Sequence, residues 1–290
     1  MFKKLCVIGV GLIGGSIAKS ARENNLVENI IGFGRIDDVE NLQLAKDLNV
    51  IDEFFTDIEQ AVLDADCVII ATPVAATEAI LKLLNPFWSS ETIYSDVGST
   101  KENVLEAAKT VFGFVPDNFI PAHPIAGAEN SGVQAALVDL FVAKRLIITP
   151  VENTSVIALK KLQTFWEKIG ALVSIMDVKQ HDSVLAATSH LPHLLAFALV
   201  DMLGQRDEQE AIFKYAAGGF RDFTRIASSD PTMWTAICEA NKTEISPLIE
   251  QFKMELSKIQ QFLESENHDA LFELFTYANQ ARQRFLNQNN

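Results

Sequence analysis

The sequence has few cysteines and few basic residues, and both shortages exclude classes of protein. Its three cysteines, Cys6, Cys67 and Cys238, lie in or beside apolar runs and share no C-x-x-C spacing. That pattern indicates free thiols in a reducing compartment rather than a disulfide framework or a zinc site. Only 24 lysines and arginines accompany 38 acidic residues, so the net charge is −14. This balance argues against nucleic acid or an anionic membrane as a partner.

Long hydrophobic runs are also missing. No uninterrupted apolar run reaches the roughly 18 residues that a membrane helix needs. Glycines interrupt the apolar stretch after Lys3 and Lys4, so this stretch makes a poor signal peptide. The chain has 290 residues, 48% of them hydrophobic and 21% charged, which is enough for two domains with a core each. We therefore expect a cytoplasmic, two-domain protein with no membrane contact.

The most informative stretch is glycine-rich and lies near the N-terminus, where residues 9–16 read GVGLIGGS. Gly9, Gly11 and Gly14 form G-x-G-x-x-G between a predicted strand and a predicted helix, as in dinucleotide-binding βαβ units. In such units the first glycine allows a tight turn, the second admits a pyrophosphate, and the third lets helix and strand pack closely. The free N–H groups at the start of the helix would face the phosphates.

Strand-like and helix-like runs alternate up to residue 177, and only helical patterns follow. The alternation predicts an α/β fold with a doubly wound, Rossmann-type sheet, followed by an all-helical C-terminal domain. We place a dinucleotide-binding domain at 1–177 and a helical domain at 178–290. The predicted strands cover residues 5–8, 29–33, 66–71, 92–97, 146–149 and 171–176.

The end of the second predicted strand bears on the choice of nicotinamide cofactor. An acidic residue there binds the ribose of NAD, whereas an arginine suits the 2′-phosphate of NADP. Gly34 and Arg35 follow this strand, which slightly favours NADP, although Asp37 or Asp38 could reach the ribose instead. NAD and NADP therefore both stay open. The expected cofactor-binding residues are Gly9, Gly11, Leu12, Ile13, Gly14, Arg35, Thr72 and Pro73.

Ligands of open α/β sheets bind beyond the carboxyl ends of the strands. His123, expected just past a strand, could act there as a general base at neutral pH. A lone histidine is more often a core residue bonded to a carbonyl. The expected position of His123 beside the nicotinamide edge nevertheless favours a role as general base. Ser99 could orient His123 or the cofactor's carboxamide, or cap the helix that begins at Glu102.

The predicted helical domain contains SHLPH at 189–193, where Pro192 should kink a helix. His190 and His193 lack a third ligand nearby, so we expect no metal site. A hydrogen-bonding role for at least one of them, in the cleft between the domains, is the stronger interpretation.

Two glycines and two arginines, Arg221 and Arg225, follow in GGFRDFTRIA at 218–227. In an acidic protein they suggest a clamp for carboxylates, which arginine binds bidentately. The alternative is a helix start in which Arg225 pairs with Asp222 or Asp230.

With these residues in view, the chain resembles the prephenate/arogenate dehydrogenase family of tyrosine biosynthesis over nearly its whole length. The resemblance implies NAD(P)-dependent oxidative decarboxylation of prephenate to 4-hydroxyphenylpyruvate, and a helical domain through which two subunits form a homodimer. The motifs that carry it are GVGLIGGS, ATPV at 71–74, DVGSTK at 96–101, HPIAGAENSG at 123–132, SHLPH, GGFRDFTRIA and SDPTMW at 229–234.

The same resemblance assigns roles to residues. His123 would accept the proton of the ring hydroxyl while hydride leaves the same carbon, with Ser99 supporting His123 and the cofactor. His193 and Arg225 would bind the substrate carboxylates. The expected catalytic residues are His123 and Ser99, and the expected substrate-binding residues are His193, Arg225, Gly127 and Ser189. Glu129 and Asp222 resemble a family pair at the entrance of the site.

Three alternatives stay open. Ala128 stands where many relatives carry Thr or Ser, so arogenate competes with prephenate as the substrate. A β-hydroxyacid dehydrogenase would share the two-domain order and use a helical lysine as its base, for which Lys242 is the candidate. A catalytically silent NAD(P) sensor would need the glycine loop but not the His, Ser and Arg set.

Overall fold

The computed structural model of the protein describes residues 1–128 and 130–288. A parallel five-stranded sheet has the order β3-β2-β1-β4-β5. The chain winds outward from β1 in one direction and then returns to β4 on its other side. The carboxyl ends of β1 and β4 therefore flank the point where the winding reverses, which is the usual ligand site of this architecture. The strands are β1 (Phe2–Ile8), β2 (Val27–Phe33), β3 (Glu53–Phe55), β4 (Cys67–Ile70) and β5 (Ile93–Asp96).

The sheet is covered on both faces, as the predicted doubly wound fold requires. Along β1, Leu5 and Val7 belong to one buried cluster, whereas Cys6 and Ile8 belong to another. This division explains why the inner strands are apolar at successive positions rather than at alternate ones. The helices of this part are α1 (Leu12–Glu23), α2 (Val39–Asp47), α3 (Ile58–Val62), α4 (Thr77–Leu84) and α5 (Glu102–Phe112).

A second, three-stranded sheet follows, with β6 (Ala122–Pro124) antiparallel to β7 (Arg145–Ile148) and β7 parallel to β8 (Leu172–Ile175). Helix α6 (Val156–Lys168) connects β7 to β8. The pattern of the sequence missed β3 and β6. The expectation that His123 lies just past a strand is wrong, because His123 pairs with Ile147 inside β6. Pro121 and Pro124 made this short edge strand look like a connection.

After β8 the described residues contain helices and no further strand. Pro192 lies in the first turn of α8, where its missing N–H costs little. The predicted irregularity is a π-helical segment, Ala186–His190, directly before α8. The helices are α7 (Val178–Leu185), α8 (Leu191–Gly204), α9 (Gln209–Lys214), α10 (Gly218–Thr224) and α11 (Pro231–Ala240).

The continuous helical run Val178–Gly204 has 27 residues and a mean hydropathy of 1.5 in its most apolar window. By length and composition alone it could cross a membrane. This evidence is weak, because the run also contains His181, Asp182 and His190, which are all buried within the protein.

The chain divides into two compact units, Met1–Lys242 and Thr243–Asn290. The first holds both sheets and α1 to α11. Two helices follow, α12 (Lys242–Glu264) and α13 (His268–Gln288). The second unit contains α12 from Thr243 onward and α13. This division falls later than the expected domain boundary at residue 177, which stays a prediction.

Candidate active site

The glycine loop after β1 has a shape that larger residues could not adopt. Gly9 has φ +89°, and a Cβ added to it would lie 2.8 Å from the carbonyl oxygen of Ala71. A Cβ on Gly14 would lie 2.1 Å from the carbonyl oxygen of Gly9, so α1 can pack this closely only with glycine there. A Cβ on Gly11 would meet nothing within 4 Å, so the backbone here is open to a ligand.

The N-terminus of α1 suits the pyrophosphate of a dinucleotide. Its N-cap is Gly11, no side chain caps it, and its first turn carries no acidic residue. The N–H groups at this end are therefore available to an anion, and the helix dipole favours one. This cradle fits the nicotinamide dinucleotide that the sequence predicts.

Two cavities open beside the loop, of about 590 and 570 Å³. The larger cavity brings together most of the expected site residues, although they come from six separate parts of the chain. They are Gly11, Leu12, Ile13, Thr72, Pro73, Ser99, Gly127, His193 and Arg225. Gly9 and Arg35 line the smaller cavity, which also includes Gly11, Thr72 and Pro73.

The smaller cavity lies where β2 ends. A Cβ on Gly34 would be 3.0 Å from Oδ2 of Asp38, so this carboxylate occupies the space beside the missing side chain. Burial, the largest influence, raises the pKa of Asp38, while a hydrogen bond from Asn41 opposes the rise. Arg35 forms an ion pair with Asp37 at 3.1 Å, and its side chain is 82% exposed.

His123 lies outside the lining of the larger cavity and is 8% exposed. Its Nδ1 lies 2.9 Å from Nε2 of His181, and Nδ1 of His181 lies 2.7 Å from Oδ1 of Asp182. Burial, with the charges of His181, Lys101 and His190, holds the pKa of His123 well below its ordinary value. The ring is therefore neutral at neutral pH, as a general base must be.

The structure gives the N-terminus of α5 a different cap from the one the sequence suggested. The carboxylate of Asp182 accepts hydrogen bonds from the N–H groups of Lys101 (2.9 Å) and Glu102 (2.8 Å). Ser99 makes no capping bond, so the capping interpretation is wrong. No hydrogen bond joins Ser99 to His123 in the described part of the chain, although Ser99 lines the larger cavity.

Lys101 ties β6 to the main sheet. It is fully buried, its Nζ donates to the carbonyl of Ala122 at 2.8 Å, and it pairs with the carboxylate of Asp96 at the end of β5. Because Ala122 directly precedes His123, this bond holds the strand that carries the imidazole.

Sequence reasoning missed His181, Asp182, Lys101 and Asn241. Asn241 donates to the main-chain carbonyl of Asp182 at 2.8 Å and lies 3.1 Å from Nδ1 of His190. His181 and Asp182 lie among the polar residues Lys179, Gln180 and Ser183, so no signal in the sequence indicated that both are buried. Nothing in their spacing pointed to His123.

His193 and Arg225 come from different helical segments. The ring of His193 stacks on Trp234 at 3.7 Å, and its Nδ1 bonds the carbonyl of Ser189 at 2.9 Å. Ser189 therefore positions His193 and does not itself line the cavity. Burial, the largest influence, together with the charge of Arg225, lowers the pKa of His193.

The two arginines of the predicted clamp, Arg221 and Arg225, do not line the same cavity. Residues 218–224 form α10, and Arg225 begins the turn after it and lines the larger cavity, whereas Arg221 does not. Glu129, the expected partner of Asp222 at the entrance, lies outside the described residues. Within residues 1–128 and 130–288, no three His, Cys, Asp or Glu side chains form a group that could hold a metal ion.

Two family models match the chain. The nucleotide-binding domain of prephenate dehydrogenase matches residues 17–175, and the dimerization domain of prephenate dehydrogenase matches residues 177–277. Together they cover most of the chain, including the residues from Ser99 to Arg225 that form the site.

Individual relatives agree with this match over nearly the full length of this chain. Cyclohexadienyl dehydrogenase of Zymomonas mobilis is 34% identical, over 97% of this chain and 96% of its own. Prephenate dehydrogenase of Bacillus subtilis is 37% identical, over 96% of this chain and 75% of its own.

Solved structures agree as well. Prephenate dehydrogenase of Aquifex aeolicus, crystallised with hydroxyphenyl propionate and NAD+, has a TM-score of 0.90 at 35% identity, covering 98% of this chain and 99% of its own. Arogenate dehydrogenase of Synechocystis has a TM-score of 0.82 at 26% identity, covering 97% of this chain and 99% of its own. With a Rossmann-type sheet, a glycine loop suited to a nicotinamide cofactor and these matches, the chain belongs to the prephenate dehydrogenase family of oxidoreductases.

Proposed function

We propose that the protein converts prephenate to 4-hydroxyphenylpyruvate and CO2, with a nicotinamide dinucleotide as the hydride acceptor. One observation carries the proposal. A single cavity joins the start of α1, where the cofactor fits, to Ser99, His193 and Arg225. The imidazole of His123 is buried and neutral.

His193 and Arg225 would hold the two carboxylates of the substrate. Arg225 can bind one of them bidentately. The Nδ1–H of His193 donates to the carbonyl of Ser189, so its Nε2 can donate to a carboxylate only when the ring is protonated. Substrate binding would therefore add a proton to His193, and the negative charge of the substrate favours that uptake.

His123 would act as the base. The bound cofactor supplies the hydride acceptor. As the C–H bond of the carbinol breaks, its hydroxyl becomes more acidic, and His123 takes the proton at Nε2. When the ring carboxylate leaves as CO2, the electron pair of the broken C–C bond flows through the ring to the oxygen. This oxygen takes the proton back, so the reaction releases no net proton.

Arogenate is the alternative substrate, because it differs from prephenate only in the amino group of the side chain. Ala128, which lines the cavity, leaves this choice open. The β-hydroxyacid alternative has less support, since Lys242 is exposed at the start of α12 and does not line either cavity.

For the cofactor, we propose NAD over NADP, which reverses the slight preference read from Arg35. The Asp38 carboxylate lies beside Gly34, where the ribose of NAD is held in this fold. A carboxylate there would repel a 2′-phosphate, and Asp37 already pairs with Arg35.

A four-way assay tests the proposal, with prephenate and arogenate each measured against NAD and NADP. We expect the highest kcat/KM with prephenate and NAD. Asp38→Asn, which removes one charge and keeps the size, should raise the relative use of NADP. Cofactor binding without turnover of either substrate would instead support the silent sensor.

The second part of the chain would form a homodimer in the cytoplasm. Helix α8 has a high mean hydropathy, yet Ala196 is its one fully buried residue. Exposed aromatic side chains also lie on α13, among them Phe272 and Tyr277. The dimerization-domain match at 177–277 supports a second copy of the chain as the partner of these surfaces. The same match supports the division into domains at 1–177 and 178–290. Light scattering at micromolar concentration would measure the assembly.

A further inference from the structure

The hydrogen-bonded chain from Asp182 through His181 to His123 is almost fully enclosed. Asp182 is 1% exposed and His181 is fully buried. Apart from its bond to His181, the Asp182 carboxylate accepts two main-chain N–H groups at the start of α5. All three of its partners are donors, so the group acts as an acceptor only.

This arrangement determines where the protons lie. Because the carboxylate only accepts, Nδ1 of His181 carries a hydrogen. In a neutral His181, Nε2 is then an acceptor, and Nδ1 of His123 must donate to it across the 2.9 Å separation. A neutral His123 with its hydrogen on Nδ1 has a lone pair on Nε2. No hydrogen bond of the described residues uses that atom.

We propose that Asp182 is a positioning residue for the reaction, which acts through His181 to hold His123 in the tautomer whose Nε2 can accept a proton. The proposal rests on the function proposed above. When His123 takes the substrate proton, its Nδ1–H stays on His181, and the negative charge of Asp182 stabilises the imidazolium. Asp182 itself never needs to be protonated.

A purely structural role for Asp182 is the competing explanation, since its carboxylate also caps α5 and joins that helix to α7. Asp182→Asn separates the two roles. Whichever way the amide is turned, its NH2 group faces a donor, either the N–H of Glu102 or those of Lys101 and His181. In the second case His181 must shift its hydrogen to Nε2, which forces the hydrogen of His123 onto Nε2 as well.

A double-mutant cycle tests the proposal, with Asp182→Asn, His181→Asn and the double variant. We expect each single variant to lower kcat about ten- to a hundredfold with little change in KM, because the base is affected and the carboxylate ligands are not. The double variant should be no slower than the slower single one, since both changes interrupt one pathway. Effects that multiply, or a normal kcat in Asp182→Asn, would overturn the proposal.

Asp177→Asn is the matched control. The side chain of Asp177 caps α7 from the same segment through the N–H groups of Lys179 and Gln180, and it makes no hydrogen bond to the side chains of the histidine chain. The main-chain carbonyl of Asp177 accepts the N–H of His181 at 2.8 Å, and the substitution keeps this bond. We expect its kcat to match the wild type. A loss equal to that of Asp182→Asn would show that stability of α7 alone explains the effect.

Imidazole nitrogen NMR of the 15N-labelled protein gives a readout that does not depend on turnover. We expect His181 and His123 to carry their hydrogens on Nδ1 in the wild type, and at least one to change in Asp182→Asn. A wild-type His123 with its hydrogen on Nε2 would refute the tautomer assignment even if the enzyme is active. The expected tautomers without turnover of prephenate or arogenate would refute only the proposed function.

Discussion

The glycine loop and the buried histidine chain would serve the same proposed reaction but are built in different ways. In the loop, the tightest contact joins residues five positions apart, Gly14 and Gly9. In the histidine chain the contacts join residues far apart in sequence. His123 and His181 are separated by 58 positions, and Lys101 and Asp182 by 81.

This difference explains why cofactor binding could be predicted from the sequence, whereas the surroundings of the base could not. A loop that binds phosphate through its backbone needs only glycines at the right spacing and a helix that follows. A general base needs a neutral ring, a fixed tautomer and a strand held in place, and here each comes from another element. We therefore expect changes in the histidine chain to affect turnover while leaving cofactor binding intact.

The largest expected effect comes from His123→Asn, which removes the proposed base from the histidine chain and leaves the glycine loop unchanged. We expect kcat to fall a hundredfold or more, with cofactor affinity unchanged, because the loop does not contact this ring. Steady-state kinetics would measure kcat, and fluorescence titration with NADH would measure the cofactor affinity. Lys242→Met is the control and should keep wild-type kinetics. Equal losses in both variants would point to the β-hydroxyacid alternative.

A smaller effect is expected from Arg225→Ala, which tests whether substrate and cofactor binding are separate. Loss of a charged hydrogen-bonding partner should raise KM for the substrate about ten- to a hundredfold. Arg221→Ala, one helical turn earlier and outside the cavity, should leave KM unchanged. Should Arg225→Ala weaken cofactor binding as much as substrate binding, its assignment to the carboxylates would be wrong.

The smallest expected effect is on the stability of the protein at mildly acidic pH. Burial lowers the pKa of His190 from 6.5 to about 4, so between these values the unfolded chain binds more protons than the folded one. The free energy of unfolding should therefore fall as the pH drops from 7.5 to 5, by about 2 kcal/mol from His190.

Urea unfolding at the two pH values would measure this loss. The neighbouring His123 has a lowered pKa as well and adds to the loss in the same direction. In His190→Gln the dependence should be weaker, since one titrating group is gone. An unchanged dependence in that variant would assign the acid sensitivity to other groups.

Much of the fold could be predicted from local pattern. Helix α5 begins at Glu102, as predicted, and the inner strands β1 and β4 follow from uninterrupted apolar runs. The strand β6 could not be predicted in this way, because it has three residues, follows Pro121, ends with Pro124 and depends on pairing with β7. For the same reason, His123 was expected in a connection rather than in a strand.

Only part of the candidate site could be predicted from the sequence. Ser99, His193 and Arg225 were expected together and line one cavity. The roles of Ser189 and Asp182 needed coordinates, since one acts through its carbonyl and the other through His181. Neither contact leaves a spacing that a reader of the sequence can recognise.

By itself, the sequence determined the doubly wound sheet, the glycine loop and the family. These depend on the period of apolar residues and on steric limits that act between near neighbours. Only the tertiary structure decided which groups surround His123 and which carboxylate controls it. Hydrogen bonds in a buried network depend on how α7 packs against α5 and β6, and a difference of one ångström there would remove them.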